Sequence, residues 1–255
     1  MECGIDLGSR AVKLVLTEDG LVMETRLYDT SVFYRNFCRR DGEALSLDLE
    51  KLGMKEPHKT AVTGYGRGRF RLAGGAAMLE LKAHVLGAMF QTRLHDFLLL
   101  DIGGQDTKLI RVQDGRMADF RTNDRCAASS GKYLEAMASA LGMDFAELGN
   151  YREDPVELSS TCAIFSESEI IGKIAEGVSL PRLAAGVNHS IIRRIAPMLS
   201  AFPPAPLVFV GGTASNEALR IILSRERGMQ VIVPPLPFHN GALGCCVGIS
   251  ALRPE

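Results

Sequence analysis

Asp6-Leu7-Gly8-Ser9-Arg10-Ala11-Val12-Lys13-Leu14, closing at Asp19-Gly20, returns 95 residues later as Asp101-Ile102-Gly103-Gly104-Gln105-Asp106-Thr107-Lys108-Leu109, closing at Asp114-Gly115. Both stretches read D-h-G-x4-K-L-x4-D-G without a gap, with six identities in fifteen aligned positions. That offset is too long for a solenoid repeat and points to a duplicated domain. Two related halves would face each other across a cleft, the ordinary location of a ligand.

Each copy has the parts of a phosphate site. A short apolar strand delivers an aspartate and a glycine-containing turn, and Asp-Gly then joins two β-rich runs as a tight hairpin. Turn glycines let backbone N–H groups approach a phosphate, while the aspartate can hold Mg²⁺ directly or through water. One such hairpin alone is an ordinary structural element. The registered pair is what favours a nucleotide clamped from both sides.

Composition sets broad bounds. The 255 residues, 46% of them hydrophobic, suffice for two domains with proper cores. A net charge of −1 with scattered acids and bases leaves no footprint for nucleic acid or an anionic membrane. Gly66-Arg67-Gly68-Arg69-Phe70-Arg71 is the one basic cluster of note and reads as a solvated loop or partner contact. Met1-Glu2-Cys3-Gly4-Ile5-Asp6 resembles no signal peptide and no run is long enough to span a membrane, so a cytoplasmic protein is expected.

Six cysteines without a C-x-x-C pair argue against a zinc ribbon or a thioredoxin motif. Cys3, Cys38, Cys245 and Cys246 stand in apolar or strand-like contexts and read as small core residues. Cys126 follows the polar run Thr122-Asn123-Asp124-Arg125 and is expected to open a helix with Tyr133, Leu134, Met137, Ala138 and Leu141 on one face. Cys162, in Ser159-Ser160-Thr161-Cys162-Ala163-Ile164-Phe165-Ser166-Glu167-Ser168-Glu169, also has a polar approach and a helix after it. A thiolate is stabilised at a helix N-terminus. A [4Fe–4S] cluster takes four thiolates, and a two-fold dimer offering two per chain would supply them at its axis. Spacing alone leaves these cysteines open between structural residues and ligands.

The remaining frame alternates strands and helices. Thr60–Thr63 reads as a strand, followed by the glycine-rich 64–68 segment and a helix from Ala76 to Leu94. Strand, hairpin and helix repeat from Asp96, and a helix from Pro181 to Phe202 carries Ile191, Ile192, Ile195 and Met198 on one face. Leu207–Val210 reads as a buried strand running into Gly211-Gly212 and a helix over 217–225, a place where backbone can lie against adenosine. Val231–Val233 is a last strand, and Asn240-Gly241-Ala242-Leu243-Gly244 opens a small-residue helix suited to close packing.

The ordered set Gly4-Ile5-Asp6-Leu7-Gly8-Ser9, Thr63-Gly64-Tyr65-Gly66-Arg67, Asp101-Ile102-Gly103-Gly104-Gln105-Asp106, Asn123-Asp124-Arg125-Cys126-Ala127-Ala128, Ser160-Thr161-Cys162-Ala163-Ile164-Phe165-Ser166-Glu167-Ser168-Glu169, Gly211-Gly212 and Asn240-Gly241-Ala242-Leu243-Gly244 resembles the ATP-dependent activators of 2-hydroxyacyl-CoA dehydratases. That group includes the ATPase subunits of benzoyl-CoA reductases and the reductases of double-cubane cluster proteins.

The resemblance implies an α/β fold of the acetate and sugar kinase, heat-shock chaperone and actin type. Two ribonuclease-H-like domains, 1–94 with the helix over 241–255 and 95–240, would flank an ATP cleft. It also implies a homodimer with one [4Fe–4S] cluster held by Cys126 and Cys162 of each protomer. By position, Asp6, Gly8, Ser9 and Lys13 would form the first phosphate loop, and Gly103, Gly104 and Gln105 the second. Asp101 would organise Mg²⁺ and the attacking water with help from Gln105, Asp6 would share the Mg²⁺, and Gly211 and Gly212 would contact the adenosine of ATP or ADP. A ferredoxin or flavodoxin would reduce the cluster, and ATP hydrolysis would drive an electron to a partner iron–sulfur enzyme.

Three positions depart from that group. Ser129 and Ser130 replace its usual Gly-Thr after the cysteine motif, and Arg10 replaces the threonine of its first loop. A small-molecule kinase of the same fold, with Asp106 as catalytic base, and a cluster-free regulatory ATPase are the alternatives.

Overall fold

The computed structural model describes residues 1–54, 57–70, 75–123, 127–159 and 162–251. Met1–His95, Gly115–Met117 and Phe238–Glu255 form one compact unit, and Asp96–Asp114 with Ala118–Pro237 form the other.

The first unit is built on a central strand, β1 (Glu2–Leu7), which is buried from Cys3 onward. It pairs antiparallel with β2 (Ala11–Glu18), and β2 pairs with β3 (Leu21–Asp29). Asp19 and Gly20 join these strands at φ +50° and +77°, the left-handed pair that a two-residue hairpin with native twist requires. The Asp29 carboxylate then accepts from the Ser31 and Val32 amides and starts α1 (Thr30–Phe37). The small hairpin β4 (Cys38–Asp41) and β5 (Ala44–Leu47) follows. Next, β6 (Lys59–Gly64) pairs parallel with β1, and β7 (Gly75–Ala77) with β6, giving the order β3-β2-β1-β6-β7.

The helix expected from Ala76 starts later, as α2 (Glu80–Thr92). Ala76 and Ala77 lie instead in β7, opposite Ala61 and Val62, and the Met78 amide donates to the Val62 carbonyl at 2.8 Å. Alanine's helix preference is worth only tenths of a kcal/mol per residue, too little to resist pairing with a buried strand.

The second unit repeats the plan. β8 (Phe97–Ile102), β9 (Thr107–Gln113) and β10 (Arg116–Asn123) form the meander, with Asp114 and Gly115 at φ +49° and +69°. On its helical face lie α3 (Gly131–Ala140), α4 (Phe145–Leu148), α5 (Ala163–Ala175) and α6 (Leu180–Ser200). β11 (Leu207–Val210), α7 (Glu217–Arg227) and β12 (Val231–Ile232) complete the order β10-β9-β8-β11-β12. Each strand of one sheet thus has its counterpart in the other. Lys13 stands opposite Asp6 in one meander, and Lys108 opposite Asp101 in the other.

Cys126 does not open α3. A separate 3-10 turn over Ala127–Ser129 intervenes, and Ser130, extended at φ −132°, caps a helix that begins at Gly131. The Ser130 hydroxyl donates to the Ala127 carbonyl at 2.7 Å and closes that turn on itself. The expected apolar stripe faces the core: Tyr133, Leu134, Met137, Ala138 and Leu141 are all buried. Likewise α6 buries Ile191, Ile192 and Ile195, and it stops at Ser200, ahead of the proline run.

The chain finally returns to the first unit as α8 (Asn240–Ser250), packed on β1 and α2. No helix among the described residues is long and apolar enough to cross a membrane.

Candidate functional site

In the first unit Asp6 is the penultimate residue of β1, just ahead of the loop 8–10, and its carboxylate is buried, only 4% exposed. Burying a charge demands a partner. Lys13 supplies it from the facing strand, Nζ to Oδ2 3.2 Å. Gly8 turns so closely here that a side chain on it would sit 2.8 Å from Lys13 Nζ and 2.7 Å from the Ala11 carbonyl. Thr30 Oγ1 holds the Gly8 carbonyl at 2.8 Å, while Ser9 has no intramolecular hydrogen-bond partner among the described residues. Arg10 turns to the exposed Asp29, Nη1 to Oδ2 3.3 Å, an ion pair at the start of α1.

His84 and His239 were not read as site residues from the sequence. A side chain on Gly241 would meet His84 Nε2 at 3.0 Å and Asp6 Oδ2 at 3.3 Å, so the start of α8 and one face of α2 close over the carboxylate. His239 Nε2 donates to the Arg26 carbonyl, 3.2 Å away. Burial holds its imidazole below the usual histidine range, keeping it neutral near pH 7.

The second unit builds the same motif with more polar groups. Asp101, 4% exposed, faces Lys108, Nζ to Oδ2 3.6 Å, and that ammonium also binds Asp106 at 2.7 Å. The Gly103 amide closes the turn onto the Asp106 carbonyl at 2.9 Å. Gly104 and Gln105 are left with no partner for their amides among the described residues. Gly211 stands at φ +91° directly after β11, where a side chain would overlap the Asp101 carboxylate. Thr213 donates to the Ile102 carbonyl at 3.1 Å and fixes the turn beyond Gly212.

That second loop is tied to the segment after Cys126. The Gly131 amide donates to the Gly103 carbonyl at 2.8 Å, and the Lys132 amide to the Gly104 carbonyl at 3.1 Å. Ser130 Oγ also reaches the Gly104 carbonyl at 3.1 Å, and the Thr107 hydroxyl donates to the Ser129 carbonyl. Ser130 therefore joins the second loop to the Ala127–Ser129 turn through its hydroxyl.

Cys126 lies outside the described residues. Cys162 is the N-cap of α5, partly exposed, and its carbonyl accepts from the Ser166 amide at 2.9 Å. Ile164 and Phe165 beside it are exposed. The other described cysteines belong to the core of the first unit. Burial pushes the Cys3 and Cys246 thiols up to about 12 and Cys38 to about 11, and raises Cys245 as well. Iodoacetamide at pH 8 on the metal-free protein is therefore expected to label Cys162 while sparing Cys3, Cys245 and Cys246 until the protein unfolds. Peptide mass mapping reads the result, and labelling of the buried three in native protein would contradict it.

Residues 3–247 match the BadF/BadG/BcrA/BcrD ATPase family. The chain belongs to this family. The (R)-2-hydroxyglutaryl-CoA dehydratase activating ATPase of Acidaminococcus fermentans is 34% identical over 251 residues, covering 96% of this chain and 95% of that one. The solved activator of the 2-hydroxyisocaproyl-CoA dehydratase from Clostridium difficile with bound ADPNP superposes with a TM-score of 0.83 at 28% identity, covering 100% and 98%. The ethanolamine utilization protein EutJ from Carboxydothermus hydrogenoformans, at 18% identity and a TM-score of 0.62 over 96% and 88%, shares the fold alone. Family membership and these neighbours establish the actin-like α/β fold.

As for what each group could hold, Asp6 and Asp101 each share Oδ2 with a lysine ammonium. A second cation at that oxygen would be repelled, so they suit a hydrated Mg²⁺ rather than direct ligation. Cys162, at a helix N-terminus and outside the core, suits a thiolate ligand of an iron–sulfur cluster.

Proposed function

We propose that this chain is an ATP-hydrolysing iron–sulfur reductase. In this reading two copies share one [4Fe–4S] cluster through Cys126 and Cys162 of each protomer. A ferredoxin or flavodoxin supplies the electron. The acceptor is a partner iron–sulfur enzyme of the 2-hydroxyacyl-CoA dehydratase, benzoyl-CoA reductase or double-cubane class. The cluster, when bound, carries one electron at low potential.

The chain's residues do the rest. Ser9, Gly104 and Gln105 present donors to the phosphates, with Gly8 and Gly103 shaping the turns and Lys13 balancing charge. Asp101 holds hydrated Mg²⁺ with Asp6 and orients the attacking water with Gln105, and Gly211 and Gly212 lie at the adenosine.

The observation that carries this reading is the set of four hydrogen bonds from Thr107, Ser130, Gly131 and Lys132 that tie the Gly103–Asp106 loop to the segment after Cys126. A change in the loop when the γ-phosphate leaves is transmitted by those bonds to the cysteine segment, which gives the two states different energies. A small-molecule kinase has no use for that linkage, and its candidate base Asp106 is already engaged by Lys108 at 2.7 Å.

Iron and acid-labile sulfide on anaerobically purified protein test the reading. Four irons per dimer are expected, lost in Cys126→Ala and in Cys162→Ala while ATP hydrolysis continues. Iron-free wild-type protein would leave a regulatory ATPase in its place.

A further inference from the structure

Arg194, in the C-terminal half of α6, bonds to two elements that follow Cys126 and Cys162 in the sequence, the turn at Ala127–Ser129 and the first turn of α5. Its guanidinium lies 4.1 Å from the centroid of the Tyr133 ring, so one face is covered by an aromatic surface. Tyr133 is itself immobilised, fully buried with its hydroxyl 2.7 Å from Ser190 Oγ. The edges of the guanidinium point in two directions. Nη1 donates to the Ala128 carbonyl at 2.8 Å, within the 3-10 turn that follows Cys126. Nη2 reaches Ser166 Oγ at 3.4 Å, and the Ser166 amide is bonded to the Cys162 carbonyl. Both acceptors are buried residues, 4% and 0% exposed. A planar fork stacked on a ring can hold two such acceptors at fixed separation, which a flexible ammonium cannot.

Helix stability does not account for this charge. Ser166 is in the first turn of α5, and the turn at Ala127–Ser129 leads into α3. Both are positive ends of backbone dipoles, where a cation is disfavoured by about 0.3–1 kcal/mol each. Neither helix has an acidic residue in its first turn to offset it. Two helix starts and a guanidinium together concentrate positive charge beside the turns that follow both cysteines, a setting that favours thiolate over thiol.

We propose that Arg194 is a positioning residue for the cluster. It clamps the turn after Cys126 to the turn after Cys162 and supplies a fixed positive charge that favours the reduced state. This rests on the iron–sulfur reading, and its test separates the two. Wild type, Arg194→Gln and Arg194→Lys are prepared anaerobically. Each is assayed for iron, for the rate of iron loss to a chelator, for the cluster's midpoint potential by an EPR-monitored titration, and for thermal unfolding.

Arg194→Gln is expected to fold and load iron, lose it to the chelator at least tenfold faster, and show a potential shifted negative. The reduced cluster carries one more negative charge, which the lost guanidinium stabilised. Arg194→Lys is expected to restore the potential but not the retention. A purely structural role would alter unfolding and leave the potential where it was. Wild-type retention and potential in both variants overturn the role of Arg194 while the cluster stands, whereas iron-free wild type removes the cluster and this role together. Should Arg194→Gln not fold, Ser166→Ala removes one arm of the clamp alone. Faster iron loss at unchanged potential supports the proposal, and an unchanged rate overturns it.

Discussion

Gly244→Ala is expected to lower the midpoint of thermal unfolding by about 10 °C or more, the largest stability effect of any single methyl group added to this protein. α8 packs by backbone against backbone. A side chain on Gly244 would overlap the Ala83 carbonyl outright, one on Gly87 would overlap the Asn240 carbonyl, and one on Gly4 the Ala242 carbonyl. Carbonyl oxygens anchored in α2 cannot swing aside as a side chain does, so the two helices must separate along their whole contact. Overpacking a rigid site costs about 3 kcal/mol or more, and each kcal/mol moves the midpoint of a chain of this size by about 2–4 °C. Separation also loosens Asn240, whose Nδ2 donates to the His84 carbonyl at 2.9 Å and whose Oδ1 accepts from Gln91 at 2.9 Å. Gly248→Ala is the control on the same helix. Its new methyl would press on Met78 Cε, the mobile end of a flexible side chain, and Leu86 Cδ1 at 3.1 Å. Alanine's better helix propensity, about 1 kcal/mol, then offsets most of the cost. Equal melting temperatures for Gly244→Ala and wild type would mean that α8 does not sit against α2 in this way.

The repeat was readable because a hairpin ties spacing to geometry. With four residues between Gly8 and Lys13, and a like number between Gly103 and Lys108, the aspartate ending one strand faces the lysine on the next. Asp-Gly at the far end could then only be a turn with both residues at positive φ. The chemistry of that lysine was half visible. The resemblance puts Lys13 in the first phosphate loop, and the structure adds its pairing with Asp6 at 3.2 Å; Lys108 takes the same place in the second meander but has no role in that reading. α1, β4 and β5 escaped notice because their sequence alternates without a clean period, and α1 depends on one carboxylate, Asp29, for its start. The start of α3 was misplaced because a 3-10 turn and a helix share the same residue preferences, and only the Ser130 hydroxyl separates them here. Arg194 had no local signature. Its acceptors lie 66 and 28 residues away, and only the packing of α6 against α3 and α5 brings them together.

Gly211→Ala is expected to reduce ATP hydrolysis at least about 100-fold while the protein stays folded. The residue sits at φ +91° and ψ 178°, a region that side-chain-bearing residues avoid at a cost of about 1–3 kcal/mol. Substitution strains the turn after β11, but the core strands β8 and β11 pair below it, from Leu207 with Leu98 to Val210 with Asp101, and need not move. The new methyl does have to displace something at the top of that ladder. It would overlap the Asp101 carboxylate and stand 2.7 Å from the Ile102 carbonyl, and only the carboxylate can rotate away. Rotation takes Asp101 from Lys108, 3.6 Å distant, and from the position at which it would hold hydrated Mg²⁺ and the attacking water. A displacement of about 1 Å in a group that orients the reacting atoms is enough for a loss of that size. Nucleotide binding should survive better than turnover, because the proposed phosphate donors at Ser9, Gly104 and Gln105 are untouched. Isothermal titration with a non-hydrolysable ATP analogue beside a steady-state phosphate-release assay distinguishes the two effects, with Asp101→Asn as the reference for loss of the carboxylate charge. Wild-type turnover in Gly211→Ala would mean that hydrolysis does not depend on where the Asp101 carboxylate stands, and the assignment of Asp101 to the attacking water would have to be given up.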